Sequence, residues 1–150
     1  MKINLEPPYI NNYHNISLKP NQGFLQLDYV KNSLKPNEDV QVEEIKSSII
    51  ANSLNDRYLA AVLENVYNTL ADGGKFILSV IDHRAFALDA LTGKASPEDI
   101  HNVLFNNPFG RNKHIEIVQI ISLLKDIGFK NMSISYDNIV ATLEAYKWAN

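Results

Sequence analysis

Read for hydrophobic period, the chain changes rhythm several times. Lys2 to Leu5 is a short apolar run stopped by Glu6-Pro7-Pro8. Proline has no amide hydrogen for a sheet ladder and holds its predecessor extended, so the run predicts a strand that ends there. Asn15-Ile16-Ser17-Leu18 and Phe24-Leu25-Gln26-Leu27-Asp28 read as a second and a third strand, followed by a polar, proline-containing loop over residues 30–39. Val40 to Ser47 alternates imperfectly and runs into Ile49-Ile50, which predicts a strand followed by a helical turn.

From Asn55 the period becomes helical. Tyr58, Leu59, Val62, Leu63, Val66, Tyr67 and Leu70 form one apolar stripe, with Asn55 or Asp56 to cap its start and Gly73 to end it. Lys75 to Ile81 is nearly continuous in apolar residues and predicts a central strand buried on both faces. Asp82-His83-Arg84 follows abruptly, then a helix to Leu91. Ser96-Pro97-Glu98-Asp99 is a strong helix start, with a capping side chain, a proline at the first position and acids in the first turn. That helix is expected to reach about Phe105, and residues 106–113 to be loop. Ile115 to Ile127 is amphipathic and closed by Gly128. Lys130 to Tyr136 and Asn138 to Tyr146 read as a terminal hairpin with its turn at Asp137-Asn138. Strands alternating with helices, closed by a hairpin, predict an α/β layer fold whose sheet is mostly parallel with one antiparallel strand.

Composition adds mainly exclusions. At 150 residues, one domain over residues 1–150 with one core is the expectation. The net charge of −3 offers no basic face, so a general nucleic-acid binder is not expected. The absence of cysteine excludes disulfides, thiol chemistry and cysteine-ligated zinc. His14, His101 and His114 are scattered, without the spacing of metal ligands, so metal binding is not expected. No apolar run has the length to span a bilayer, and the first residues lack a signal-peptide core, so the expected location is the cytoplasm.

The helix followed by Leu70-Ala71-Asp72-Gly73-Gly74-Lys75-Phe76-Ile77-Leu78-Ser79-Val80 resembles the helix-to-strand turn of class I S-adenosylmethionine-dependent methyltransferases. Residues 42–54, beginning Val42-Glu43-Glu44-Ile45, are similar to that family's fourth strand. Leu123-Leu124-Lys125-Asp126-Ile127-Gly128-Phe129-Lys130 resembles its passage into the terminal hairpin. Residues 12–20 resemble the second strand of compact members, phage-encoded ones among them. The resemblance implies a reduced Rossmann-like methyltransferase fold with helices on both faces of the sheet.

Against that family the departures fall where the cofactor would lie. The glycine-rich loop expected after the first strand is replaced by Glu6-Pro7-Pro8, which locks the backbone, removes amide donors and adds a carboxylate. Ser17 stands where an acid would bind ribose hydroxyls, and a serine offers no charge-assisted pair. Asp28 matches the acid near the adenine, and Asn52 replaces the histidine after the fourth strand. Open α/β sheets bind ligands beyond the carboxyl ends of their strands. Glu6, Ser17, Asp28, Ser48, Asn52, Asp82 and His83 are the residues placed there, either as solvating loop starts and helix caps or as a residual pocket for a nucleoside-like or other small polar ligand.

Asp82-His83-Arg84 is the sharpest cluster, an acid beside a histidine suited to proton transfer, or simply a helix N-terminus with Asp82 as its cap. Residues 108–114 form a basic, glycine-containing loop, either a surface crossover or a contact for an anion. Trp148 near the end is an aromatic anchor for the sheet edge or another subunit. Two functions follow. One is a non-catalytic binding or structural module, phage or virus encoded, with no catalytic residues, no cofactor, and a protein partner or self-association. The other is a working S-adenosylmethionine-dependent methyltransferase with an atypical first loop.

Overall fold

The computed structural model describes residues 1–5, 10–16, 34, 40–48, 50–54, 56–105 and 115–148. Strands β1 (Lys2–Leu5), β2 (His14–Ile16), β3 (Val42–Ser48), β4 (Leu70–Ile81), β5 (Phe129–Asp137) and β6 (Val140–Lys147) form one sheet in the order β2-β1-β3-β4-β6-β5. Its pairings from β2 through β4 are parallel, and both pairings of β6 are antiparallel. Helices α1 (Ile50–Ser53), α2 (Asp56–Thr69), α3 (His83–Leu91), α4 (Pro97–Phe105) and α5 (Ile117–Ile127) complete the elements. This is the mixed α/β, mostly parallel, Rossmann-like architecture the pattern predicts. The third strand expected over residues 24–28 and the basic loop at 108–114 lie outside the described residues.

The core forms on one face of the sheet because alternate residues of each strand point there. Ile3 and Leu5, Ile45, Phe76, Leu78 and Val80, and Ala141, Leu143 and Ala145 are all buried, and the strand registers put them in rows. Helix α2 adds Leu59, Val62, Leu63 and Val66, its i, i+3, i+4, i+7 stripe, and α5 adds Ile120 and Leu124. Phe129 joins the two layers, stacking on Phe76 at 5.7 Å and meeting Tyr67 of α2 edge-on at 5.0 Å. Helix α3 buries Phe86 apart from this cluster.

Strand β4 departs from its expected burial on both faces. Phe76, Leu78 and Val80 are buried, while Lys75, Ile77, Ser79 and Ile81 between them are only half-buried. Isoleucines on the second face hide an alternation that the registers with β3 and β6 reveal. Ser79 meets Thr142 there at 3.2 Å, and Lys75 is paired in register with Glu44.

The paired glycines also act differently from a helix stop. Helix α2 ends at Thr69 and β4 starts at Leu70. The register with β3 then jumps from Val42↔Leu70 to Glu44↔Lys75, so residues 71–74 loop out as a bulge. Gly73 supplies a φ of +77° at its tip. Gly74 supplies space: a Cβ there would lie 2.7 Å from the Ala71 carbonyl oxygen and 3.2 Å from that of Val42. Elsewhere the local signals hold. Ser96 Oγ accepts from the Asp99 amide while the Asp99 carboxylate accepts from the Ser96 amide, a reciprocal cap for α4. Gly128, with φ +119°, ends α5. The hairpin turn is Asn138-Ile139, one residue later than expected, with Asn138 left-handed.

Candidate functional site

In an open parallel sheet the ligand crevice opens where successive connections leave in opposite directions. Here that point lies between β1 and β3. The chain passes from β1 outward to β2 on one side, and from β3 outward to β4 on the other. The last residue of β1, Leu5, is in register with Ser47 of β3. Ser47 is fully buried, and its hydroxyl has no hydrogen-bond partner among the described residues. A buried hydroxyl of this kind costs about 1–3 kcal/mol relative to a partnered one, so its position at the switch point is notable.

Glu6 follows Leu5 directly in the chain, but Glu6, Ser17 and Asp28 lie outside the described residues. Asn52 falls within α1, just beyond the end of β3, and its side chain also lies outside them. Ser48 ends β3 and is half-buried.

The connection from β1 to β2 spans only residues 6–13. Parallel strands are usually joined by about a dozen residues or more, commonly including a helix. Residues 11–13 are turn and bend instead, and Asn15 of β2 holds them. Its Oδ1 accepts from the Ile10 amide at 3.0 Å and from Asn4 Nδ2 at 2.9 Å. Its Nδ2 donates to the Ile10 and Tyr13 carbonyls at 3.1 and 3.0 Å. One asparagine thus satisfies a strap of backbone that a crossover helix would satisfy internally.

At the end of β4, Asp82 is 5% exposed and both its carboxylate oxygens have partners. Oδ1 accepts from the Arg84 amide at 3.0 Å, capping α3. Oδ2 accepts from the Tyr136 hydroxyl at 2.9 Å, and the Asp82 amide donates to the Ile139 carbonyl at 2.9 Å. Burial and the neighbouring carboxylate together raise the Tyr136 pKa. His83 Nδ1 accepts, at 3.4 Å, from the amide of Ile115, so a neutral ring carries its proton on Nε2. Asp82 and His83, adjacent in sequence, are thus drawn to different elements: the acid to α3 and the terminal hairpin, the imidazole to the residue leading into α5. Sequence reasoning missed Tyr136. The signal was parity: Tyr136 pairs with Ala141, which pairs with Val80, two residues before Asp82 on the same face.

A second polar cluster, also missed, sits towards the amino ends of the strands. Glu44 is flanked in register by Lys2 and Lys75. Its carboxylate lies 3.2 Å from Lys75 Nζ and 3.9 Å from Lys2 Nζ, and accepts from the Tyr13 hydroxyl. Burial alone would raise the Glu44 pKa, but the Tyr13 and Lys75 contacts outweigh it and the net shift is downward. The same hydrogen bond, with burial, pushes the Tyr13 phenol up to about 12. This cluster ties Tyr13, the last residue of the strap, to the sheet. Among the described residues no group of three histidine, aspartate or glutamate side chains is placed to hold a metal, and no helix is long and apolar enough to cross a membrane.

No protein-family model and no curated protein matches the chain. Solved structures do. The S-adenosylmethionine-dependent methyltransferase SibL in its apo form superposes with a TM-score of 0.62 at 11% identity, over 99% of this chain and 43% of that one. Human N-acetylserotonin methyltransferase in complex with SAM gives 0.57 at 11%, over 99% of this chain and 40% of that one. An O-methyltransferase family protein from Burkholderia thailandensis gives 0.57 at 14%, over 91% and 36%. The chain spans about two fifths of the length of these structures. At such identities the likeness is one of architecture: the chain has the fold of a class I methyltransferase domain.

Proposed function

We propose that this chain is a methyltransferase-like module that has lost the cofactor site and acts by binding rather than by methyl transfer. The observation that carries this reading is the end of β1. Leu5 lies at the switch point, and the next residues are Glu6-Pro7-Pro8, with no glycine before Gly23. The methionine portion of S-adenosylmethionine needs bare, donating backbone at that place. Two prolines withhold donors, and a carboxylate adds charge repulsion. The short strap through residues 10–13 supports the same reading, because the helix that usually follows the glycine-rich loop has no room to form in the described part of it. Asp82, engaged as a helix cap and by Tyr136, adds no base to the site.

A second reading, an S-adenosylmethionine-dependent methyltransferase with an atypical first loop, is favoured by one feature: the unpartnered Ser47 hydroxyl, a polar group buried in the core row between Leu5 and Leu78 next to the switch point. Asn52, Ser17, Asp28 and Glu6 would then line the pocket, and S-adenosylmethionine would supply the methyl group. Thermal unfolding separates the two. A ligand present at about a hundredfold its dissociation constant stabilises by about 2.7 kcal/mol. We expect the midpoint to stay unchanged with millimolar S-adenosylmethionine or S-adenosylhomocysteine; a rise of several degrees would favour the enzyme.

A further inference from the structure

Strand β5 is an edge of the sheet, and its outer side leaves apolar groups in water. Ile134 and Tyr136 pair across β6 with the buried Leu143 and Ala141, so their side chains lie on the core face. Yet Ile134 is 42% exposed and Tyr136 52%. Helix α5 runs beside the same strand and leaves Val118 65% exposed. Between helix and strand lies a groove of about 400 Å³, lined by Ile121, Lys125, Phe129, Lys130 and Ile134 among others.

The backbone points the same way. The turn Asn138-Ile139 makes Asp137↔Val140 the closing pair of a two-residue hairpin. In such hairpins the closing pair is hydrogen-bonded, and the pattern alternates from there. Asp137, Ser135 and Ser133 therefore address β6, while Tyr136 and Ile134 turn their amide and carbonyl groups outward. Edges of this kind are usually blunted by bulges, prolines or charges. The bulge between Lys130 and Ser133, with Asn131 left-handed, guards only the first part of β5; from Ser133 to Asp137 the register is regular.

We propose that β5 pairs with β5 of a second copy of this chain, antiparallel, about a two-fold axis at Ile134. The edge is self-complementary in that arrangement. Its middle is apolar, Lys125 and Lys130 lie at the end where β5 begins, and Glu116 and Asp137 lie at the other. A two-fold sets Ile134 against its own copy and pairs Ser133 with the other chain's Ser135, within the regular part of the strand, while Tyr136 reaches towards Met132 at the bulge. It also carries Asp137 to the neighbourhood of the other chain's Lys130. A parallel addition would instead align like charges, which destabilises a strand pair. The two-fold closes on itself and doubles the six-stranded sheet without leaving this edge open. The inference is independent of whether the carboxyl edge holds a ligand.

Light scattering on the full chain tests it. The expected mass is twice 16.9 kDa, falling to 16.9 kDa for Ile134→Lys with an unchanged far-ultraviolet circular dichroism spectrum. Because the chain has no cysteine, Ile134→Cys provides a second readout that needs no destabilising charge. Directly opposed hydrogen-bonded positions sit about 5.5 Å apart at Cα, within disulfide range. Oxidised Ile134→Cys is expected as a covalent dimer, and Leu91→Cys, on the exposed face of α3, as a monomer. A monomeric wild-type chain at its highest soluble concentration, or a dimer that survives Ile134→Lys, overturns the proposal.

Discussion

Tyr136 and Asp82 are 54 residues apart in sequence and joined by a 2.9 Å hydrogen bond from the tyrosine hydroxyl to Oδ2. The contact fastens the terminal hairpin to the point where β4 hands over to α3. Tyr136→Phe removes the donor and leaves the cap intact, so we expect a loss of about 1 kcal/mol. Asp82→Ala removes cap and acceptor together and should cost about 2 kcal/mol. In a double-mutant cycle from urea midpoints the two effects should be less than additive, because the shared bond is lost only once.

Glu44 gives a pH dependence of known sign. Its folded pKa is depressed, so its contribution is fully present above the unfolded value of about 4.3 and is lost as pH falls through the folded value. Wild type should exceed Glu44→Gln by about 1–2 kcal/mol at neutral pH. That gap should close as denaturant midpoints are followed down through the carboxylate range. A constant gap across that range would mean that Lys2, Lys75 and Tyr13 do not stabilise the charged form.

The bulge glycines should differ in an order opposite to their φ values. Gly73→Ala meets open space and only the strain of φ +77°, about 1–2 kcal/mol. Gly74→Ala brings a methyl group to 2.7 Å from a backbone carbonyl that cannot swing away, so β4 must shift and the cost should be larger, about 3 kcal/mol or more. Thermal midpoints of the two variants check the order.

Asn15 satisfies both ends of the strap, and Asn15→Ala should cost about 2–3 kcal/mol. Asn15→Asp is the sharper test. It keeps the two accepted bonds but turns a carboxylate oxygen toward the Ile10 and Tyr13 carbonyls, so it should rescue little. Hydrogen exchange at the Ile10 amide should accelerate in Asn15→Ala, which removes its acceptor, and stay slower in Asn15→Asp, which keeps it.

Much of this architecture was legible in local pattern. The stripe from Leu59 to Val66, the Ser96–Asp99 cap and Gly128 are each defined by neighbours within one or two turns, and each stands as read. The errors come where one residue type serves two geometries. A glycine with positive φ ends a helix or tips a bulge, and only the Val42↔Leu70 register decides which at Gly73. Ile77 and Ile81 looked like core because isoleucine suits either face of a half-covered strand. At the candidate site, Asp82 as a cap was visible from its position at the start of α3, and Asn15 binds mainly its own neighbours Ile10 and Tyr13, whereas Tyr136 and Tyr13 gain their roles from Asp82 and Glu44, far along the chain. No local spacing encodes those.

The account turns on the corner after Leu5. Isothermal titration of the chain with S-adenosylhomocysteine tests it most directly, since the proposed loss of the cofactor site rests on the two prolines and the carboxylate that follow Leu5 in sequence. The prediction is no saturable heat at millimolar ligand. A saturable isotherm with a micromolar dissociation constant, weakened by Ser47→Val, would contradict it and identify a working cofactor site at the β1–β3 switch point.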